Sequence, residues 1–156
     1  MATPTLSEMR RNLFLMGFLK IPMLGRLHPK LLHIDDEKIV LKIKLRRRSK
    51  NHLNSMYFGA LAIGADCASG LHAFYFAKKY NRQISFVFKS MSAEFIKRAE
   101  SDVTFVFNDG KEIEKLVLKS KDTGERYNRF CDVTCLNEQQ EVVAIFKMES
   151  SVKVKN

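Results

Sequence analysis

One carboxylate stands out in the longest apolar stretch of the sequence. Between Asn51 and Ala77 the one formally charged side chain is Asp66, which sits among Ala, Ile and Gly residues. Burying an unpaired carboxylate costs several kcal/mol unless it is hydrogen-bonded or protonated. Helix propensity does not favour Asp at such a position either. Asp66 is therefore either a structural hydrogen-bonding residue or a functional carboxylate, and its type and setting leave both interpretations open.

The stretch that carries this carboxylate is expected to form one long helix over residues 55–79. It is apolar on nearly all sides, which is typical of a buried helix, and Ser55 is its expected N-cap. The first N–H groups of a helix are unpaired and carry partial positive charge, so they stabilise a developing oxyanion. Asn51 lies just before the helix. A carboxylate, free N–H groups and an Asn make a workable set for hydrolysing an activated acyl group.

The segment from Asn51 to Asp66 resembles the helix-start motif of hotdog-fold acyl-CoA thioesterases of the PaaI-like type. In that motif an Asn is followed six residues later by His-Gly-Gly, and an acidic residue comes nine positions after the His. Here Asn51 and Asp66 fall in register, and Gly59 matches the second glycine. Tyr57 stands where the family has His, and Phe58 stands at the first glycine.

The resemblance implies roles for the matching residues. Asp66 is the implied general base or nucleophile, and Asn51 orients the thioester or the attacking water. The backbone N–H groups of Phe58 and Gly59 are the implied oxyanion donors, because every residue except proline supplies an N–H. The side chain of Phe58 is expected to narrow the acyl entrance. Because Tyr57 stands in place of the His, no interaction of that His with the leaving group is implied here.

Two further residues are candidates for the site because of their positions in the sequence. His52 lies beside Asn51 and is a candidate pocket residue, although a plain loop position is the simpler interpretation. Ser85 stands near the place where some members of the family contribute a polar residue from the partner subunit. We therefore expect Ser85 to act in the site of a second chain.

The implied function is hydrolysis of an acyl-CoA or acyl-carrier thioester. No cofactor is implied beyond the coenzyme A that forms part of the substrate, and no metal is implied. Hotdog proteins usually form homodimers or homotetramers with their sites at the subunit interface, which places Asp66 in a composite pocket. A non-catalytic acyl- or lipid-binding protein on the same fold is the alternative, because the His is missing and Phe58 is bulky.

The elements around this motif predict an α+β hotdog fold, in which an antiparallel sheet wraps around the long central helix. Residues 38–48 alternate apolar and basic side chains, as a half-buried strand does. The other expected strands are 31–34, 83–89, 93–98, 102–107 and a hairpin of 127–136 with 141–154, with a short helix at 111–121. An added N-terminal helix is expected from about Thr5 to Lys20. We divide the chain into an N-terminal helical extension, residues 1–29, and a single hotdog domain, residues 30–156.

The charge of the chain is unevenly placed. The net charge is +10, and residues 1–50 hold 12 Lys and Arg against 4 Asp and Glu. This excludes a uniformly basic, histone-like protein and suggests an anionic partner: nucleic acid, a membrane surface or a phosphorylated small molecule. No tryptophan and no known nucleic-acid motif is present, which disfavours nucleic acid. Candidates for contacts with the phosphates of coenzyme A are Arg46, Arg47, Arg48 and Lys50, with a plain solvated strand end as the alternative.

The cysteines and the N-terminus bear on location. Cys67, Cys131 and Cys135 are odd in number and lack the spacing of a zinc site, so we expect small buried side chains in a reducing cytosol. The apolar run Leu13–Leu19 is too short for a membrane span or a signal peptide. The prediction is a cytoplasmic protein whose N-terminal helix packs on the domain or lies in a membrane interface.

Overall fold

The computed structural model describes residues 1–155, so Asn156 of the predicted hotdog domain lies outside the described residues. The helices are α1 (Leu6–Leu15), a π-helical turn (Met16–Lys20), α2 (Pro22–Leu27), α3 (Phe58–Lys79) and α4 (Gly110–Thr123). The strands are β1 (Lys30–Ile34), β2 (Ile39–Ile43), β3 (Gln83–Phe95), β4 (Val103–Phe107), β5 (Tyr127–Leu136) and β6 (Val142–Lys155). They form one sheet of order β1-β2-β4-β5-β6-β3, in which every neighbouring pair is antiparallel.

The long helix α3 is enclosed by this sheet, as the sequence predicted. Most of its side chains are buried, and Gly64 shows how closely the sheet approaches. A Cβ at position 64 would overlap the ring of Phe105, which stands on the central strand β4. The glycines that lower the helix propensity of this segment therefore serve close packing between the helix and the sheet.

The helix begins later than expected. Tyr57, with extended backbone dihedrals, occupies the N-cap position, so the assignment of Ser55 as N-cap is wrong. Ser55 is buried and donates its hydroxyl to Asn51 Oδ1 at 3.2 Å. The N–H of Met56 donates to the carbonyl of Ala99 at 2.7 Å, which keeps the chain extended there. With this long-range backbone contact, the N-cap of α3 lies two residues later than expected.

Two strands also differ in extent from the prediction. β2 stops at Ile43 because Ser49 closes a turn: its Oγ donates to Lys44 O at 2.8 Å and accepts from Arg46 N at 2.9 Å. β3 runs unbroken over the two strands predicted at 83–89 and 93–98, with a bulge between Phe88 and Ser90. The β5–β6 hairpin and the short helix α4 are confirmed.

The N-terminal segment packs on the domain. Thr5 caps α1 in a reciprocal capping box with Glu8. Met9 and Leu13 of α1 and Leu24 of α2 belong to the main hydrophobic core. The division of the chain at residue 29 stays a prediction.

A partly buried ion-pair network joins the end of α3 to its surroundings. The Nζ of Lys79 lies 2.7 Å from Asp36 and 3.1 Å from Glu114. The hydroxyls of Tyr75 and Tyr80 donate to the same two carboxylates, at 2.9 and 2.6 Å. Asp36 lies in the β1–β2 turn and Glu114 on α4, so the network joins three parts of the fold.

The three cysteines are buried and free. Across residues 1–155, no helix has both the length and the hydropathy required to cross a bilayer. The cytoplasmic location stays a prediction.

Candidate functional site

The first cavity of interest lies at the N-terminus of α3 and has a volume of about 470 Å³. Four of the predicted site residues line it: Asn51, His52, Tyr57 and Phe58. Phe58 and Gly59 are the first two residues of the helix, and within residues 1–155 their N–H groups have no hydrogen-bond acceptor. Tyr57 provides no side-chain cap for them. Two free amide donors therefore lie at the positive end of the helix dipole.

Asn51 is held in one orientation by its own loop. Its Oδ1 accepts from the N–H of Leu53 at 2.9 Å and from the N–H and hydroxyl of Ser55 at 3.2 Å each. Its Nδ2 group has no partner within the described part of the chain. The amide oxygen is thus fully engaged, while two N–H bonds remain for a carbonyl or a water. His52 is an exposed loop residue that also lines this cavity, so its role stays a prediction.

Aromatic rings crowd the entrance to this cavity. The ring centroids of Tyr57 and Phe58 lie 4.7 Å apart, and the Phe58 ring meets that of Phe95 at 6.4 Å. Phe58 remains more than half exposed. Phe95, Lys97 and Arg98 line the same cavity from the end of β3, and none of them was predicted from the sequence. Only the register of β3, about 40 residues along the chain, brings them here, so local spacing gave no signal.

Asp66 lies at a second cavity of about 300 Å³ between α3, β3 and the N-terminal helices. Most of its wall is apolar, including Phe74, Phe86 and Phe88. No hydrogen bond or ion pair within residues 1–155 involves the Asp66 carboxylate. Burial raises the pKa of this carboxyl above its ordinary value of 3.8. Within the described residues the Asp66 carboxylate therefore lacks the hydrogen-bond partner that a purely structural role requires.

The structure thus distributes the predicted set over two places. Asn51 and the amide donors share one cavity, and Asp66 borders another. Lys20 is the one basic residue on the wall of the Asp66 cavity, and it forms no ion pair with Asp66. A thioester bound within a single chain at either cavity meets only half of the set.

The remaining predicted residues lie outside both cavities. Ser85 stands on β3 and accepts a hydrogen bond from Arg126 Nη2 at 2.8 Å. Arg46 and Arg48 line a third, cationic cavity, whereas Arg47 and Lys50 are exposed beside it. Within residues 1–155, no group of three or more His, Cys, Asp or Glu side chains is arranged to hold a metal ion.

Known proteins share this architecture. The chain matches the model of a family described as a domain of unknown function, DUF4442, over residues 10–153. A protein of unknown function from Chlorobaculum tepidum superimposes with a TM-score of 0.84 at 13% identity, covering 100% of both chains. A Pseudomonas aeruginosa protein described as a probable thioesterase gives 0.75 at 21%, covering 98% of this chain and 99% of its own. Zebrafish thioesterase superfamily member 2 gives 0.68 at 16%, with coverages of 98% and 99%. No curated protein matches the chain.

Likeness at such low identity shows the fold. An antiparallel sheet around a long central helix, preceded by an N-terminal helix, is the arrangement that the motif between Asn51 and Asp66 predicted. The family match begins at residue 10 and thus includes most of the N-terminal segment. The chain therefore belongs to the DUF4442 family and has the hotdog fold.

Proposed function

We propose that the protein hydrolyses an acyl thioester of coenzyme A or of an acyl carrier, in the manner of PaaI-like thioesterases. The observation that carries the proposal is Asp66, whose carboxylate has no partner within the described residues and lies on the wall of an apolar cavity. Burial raises the pKa of the Asp66 carboxyl, and a raised pKa makes its carboxylate a stronger base, which suits a general base. Asp66 either activates a water or attacks the thioester itself.

The free N–H groups of Phe58 and Gly59 supply the oxyanion hole in this proposal. Hydrolysis places negative charge on the thioester oxygen, and preorganised amide donors stabilise it. Asn51 lies at the same cavity with its Nδ2 donors unused, so it orients the carbonyl or the attacking water. His52 and Tyr57 form the wall beside these groups.

The complete site needs two chains, which supports the proposal of a homodimer or homotetramer. β3 pairs only with β6 and is an edge of the sheet, so its other side is open for a second copy. It carries exposed apolar side chains at Val87, Met91 and Phe95. Pairing along this edge brings β3 of one chain next to that of its partner, and Ser85 stands on that strand.

The proposed contacts with the phosphates of coenzyme A are made by the basic side chains of residues 46–50. Arg47 and Lys50 are free of acidic partners within the described residues, and Arg46 and Arg48 stand beside them. Arg98 lies at the α3 cavity itself and adds a cation that the sequence analysis did not identify. Its ion pair with Glu100 is long, at 3.8 Å, and leaves the guanidinium exposed.

Turnover of a panel of acyl-CoA substrates tests the proposal. Asp66→Asn and Asp66→Ala should lower kcat by about 10²- to 10⁴-fold, because the base or nucleophile is lost. Asp122→Asn, on an exposed position of α4, is the matched control and should retain full activity. Equal turnover by wild type and both Asp66 variants would remove Asp66 from the mechanism.

The second candidate is a non-catalytic acyl- or lipid-binding protein. The rings of Tyr57, Phe58 and Phe95, gathered at the α3 cavity, favour it because they restrict the approach of a thioester to the amide donors. Native mass spectrometry after incubation with palmitoyl-CoA separates the two. Retained intact palmitoyl-CoA, without turnover of any panel member, supports binding alone, whereas appearance of free coenzyme A supports the hydrolase.

A further inference from the structure

The N-terminal helical segment, residues 6–27, exposes a concentrated apolar surface. Six of the ten residues 14–23 are large hydrophobic side chains exposed to solvent: Phe14, Leu15, Phe18, Leu19, Ile21 and Met23. Phe18 and Met23 are 72% and 71% exposed. Single exposed apolar residues are normal, but a contiguous group marks a surface that interacts with another molecule or a membrane.

These side chains stand on a rigid support. α1 is anchored in the core by Met9 and Leu13. The π-helical turn and α2 touch at Gly17 and Gly25, where a Cβ on either residue would collide with the backbone of the other. The rings of Phe14 and Phe18 stack with their centroids 6.0 Å apart. The exposed apolar side chains are therefore held in place by the packing of the N-terminal helices.

A cationic cavity of about 260 Å³ adjoins this surface. It is lined by Lys30, Lys42, Lys44, Arg46 and Arg48, with Leu27 and His28. His28 and Lys30 also line an apolar cavity of about 540 Å³ that includes Phe14 and Phe18. The cationic and apolar features therefore share a border and form one amphipathic face.

The charge in the cationic cavity is largely uncompensated. Lys42 has an acidic partner, Asp102, at 3.3 Å, and within residues 1–155 the other four cations have none. Lys30 stands directly opposite Lys42 in the β1–β2 pair. Like charges directly opposite each other on neighbouring strands are destabilising. A bound anion would relieve this repulsion.

We propose that this amphipathic face docks on an anionic lipid bilayer. The exposed side chains of residues 14–23 insert among the acyl chains, and Lys30, Lys42 and Lys44 of the cationic cavity contact a lipid phosphate. The segment lies in the interface, consistent with the lack of a spanning helix within residues 1–155. Basic side chains beside an inserted apolar group add attraction to anionic lipids.

The charge favours a bilayer over a second copy of the chain. A two-fold interface would place each cationic cavity near its own copy. Glu8 is the sole acidic residue in the first 30 positions, and Thr5 and Lys78 already engage it. Such an interface has too few acidic groups to offset the repulsion, whereas an anionic membrane supplies the opposite charge.

Co-sedimentation with lipid vesicles tests the proposal. The wild-type chain should bind phosphatidylcholine vesicles that contain phosphatidylglycerol and bind pure phosphatidylcholine vesicles much more weakly. Phe14→Ser with Phe18→Ser should lower the partition coefficient on the order of tenfold or more. Lys30→Gln with Lys44→Gln should lower it to a similar extent and weaken its dependence on salt.

Matched controls use strands that lie away from β1 and β2 in the order of the sheet. Lys89→Gln with Lys153→Gln removes the same charge from exposed positions of β3 and β6, and Phe130→Ser removes an exposed ring from β5. Both should bind vesicles like the wild type. Equal losses in the charge control would show attraction to net charge alone and overturn the assignment to this face.

A fluorescence measurement avoids variants that weaken the fold. The chain has no tryptophan, so Phe18→Trp provides a single reporter. Its emission should shift to shorter wavelength with phosphatidylglycerol vesicles, and that of Phe130→Trp should not. No shift for Phe18→Trp would overturn insertion. A lower oligomeric mass for the Phe14→Ser, Phe18→Ser variant in sedimentation velocity would identify the face as an interface between copies and also overturn the proposal.

Discussion

Phe58 and Asp66 lie eight residues apart on the same helix and border different cavities. A rise of 1.5 Å per residue separates them by about 12 Å along the axis. Reacting atoms must approach to about 3 Å, so one thioester cannot use the amide of Phe58 and the carboxylate of Asp66 from the same chain. The proposed hydrolase site is therefore completed by a second chain.

Replacing Phe58 with proline removes one proposed oxyanion donor. Proline is well tolerated at the first position of a helix, and the extended backbone of Tyr57 suits the residue before it. We expect Phe58→Pro to lower kcat by about 10²- to 10³-fold with little change in Tm. Phe58→Ala keeps the N–H and loses only the ring, so it should retain most of kcat. A similar kcat for the two variants would exclude this N–H as a donor.

Mixing two inactive variants tests whether the site is shared between chains. An oligomer of Asp66→Asn with Phe58→Pro contains one site with both defects and one site with neither. Co-refolded mixtures should therefore recover thioesterase activity that neither variant has alone. Each variant refolded by itself is the control. Failure to recover activity in oligomers shown by mass to be mixed would place both groups in one chain's site.

Much of the fold could be predicted from the sequence because the patterns that indicate each helix and strand are local. The alternating strand at 38–48, the apolar stretch that became α3 and the spacing from Asn51 to Asp66 each indicated their element. The start of α3 was not accessible, since it depends on the contact between Met56 and Ala99. The same holds for Phe95 and Arg98, which reach the α3 cavity only through the register of a distant strand.

The site was harder to predict than the fold for a geometric reason. The spacing of two residues in the sequence fixes their distance along a helix. It does not fix which cavity each side chain lines. Asn51 and Asp66 matched the motif in spacing, yet their cavities are separate in one chain. The basic run at 46–50 likewise divides, because the turn closed by Ser49 sends Arg46 and Arg48 toward the lysines of β1 and β2.

Gly64 should be intolerant of any side chain. A Cβ there overlaps the ring of Phe105, which is fully buried, so Gly64→Ala should destabilise the fold by about 1–3 kcal/mol. Gly70→Ala, on the same helix, meets Phe86 at an ordinary 3.4 Å and should be neutral or stabilising by up to about 1 kcal/mol. Urea unfolding measures both. Equal effects would show that helix propensity, and not contact with the sheet, sets the cost.

Lys79 should matter far more to stability than its neighbour Lys78. Lys79→Met leaves the carboxylates of Asp36 and Glu114 partly buried with less compensating charge, at a cost of about 2–3 kcal/mol. Lys78 pairs with Glu8 at the exposed surface, so Lys78→Met should cost less than about 1 kcal/mol. The free energy of unfolding by urea provides the comparison. Equal costs would contradict a structural role for the network.

His72 should make the fold sensitive to mild acid. It is fully buried in α3, and its Nε2 donates to the carbonyl of Asp35 at 2.7 Å. Burial lowers its pKa from 6.5 to about 4, although the bond to Asp35 opposes this. Between these values the unfolded chain binds a proton that the folded chain does not. Stability therefore falls as the pH drops from 6.5 to 4, by at most roughly 3 kcal/mol.

His72→Gln keeps a donor for the Asp35 carbonyl and removes the titration, so it should flatten this part of the pH dependence. His52→Gln removes an exposed imidazole and is the control, with a slope like that of the wild type. Urea unfolding at each pH gives the slopes. A titration of the His72 ring by NMR in the wild-type chain gives an independent measurement. Protonation of that ring near pH 6.5 in the folded state would contradict the assignment, because a histidine that charges as easily when folded as when unfolded cannot produce the slope.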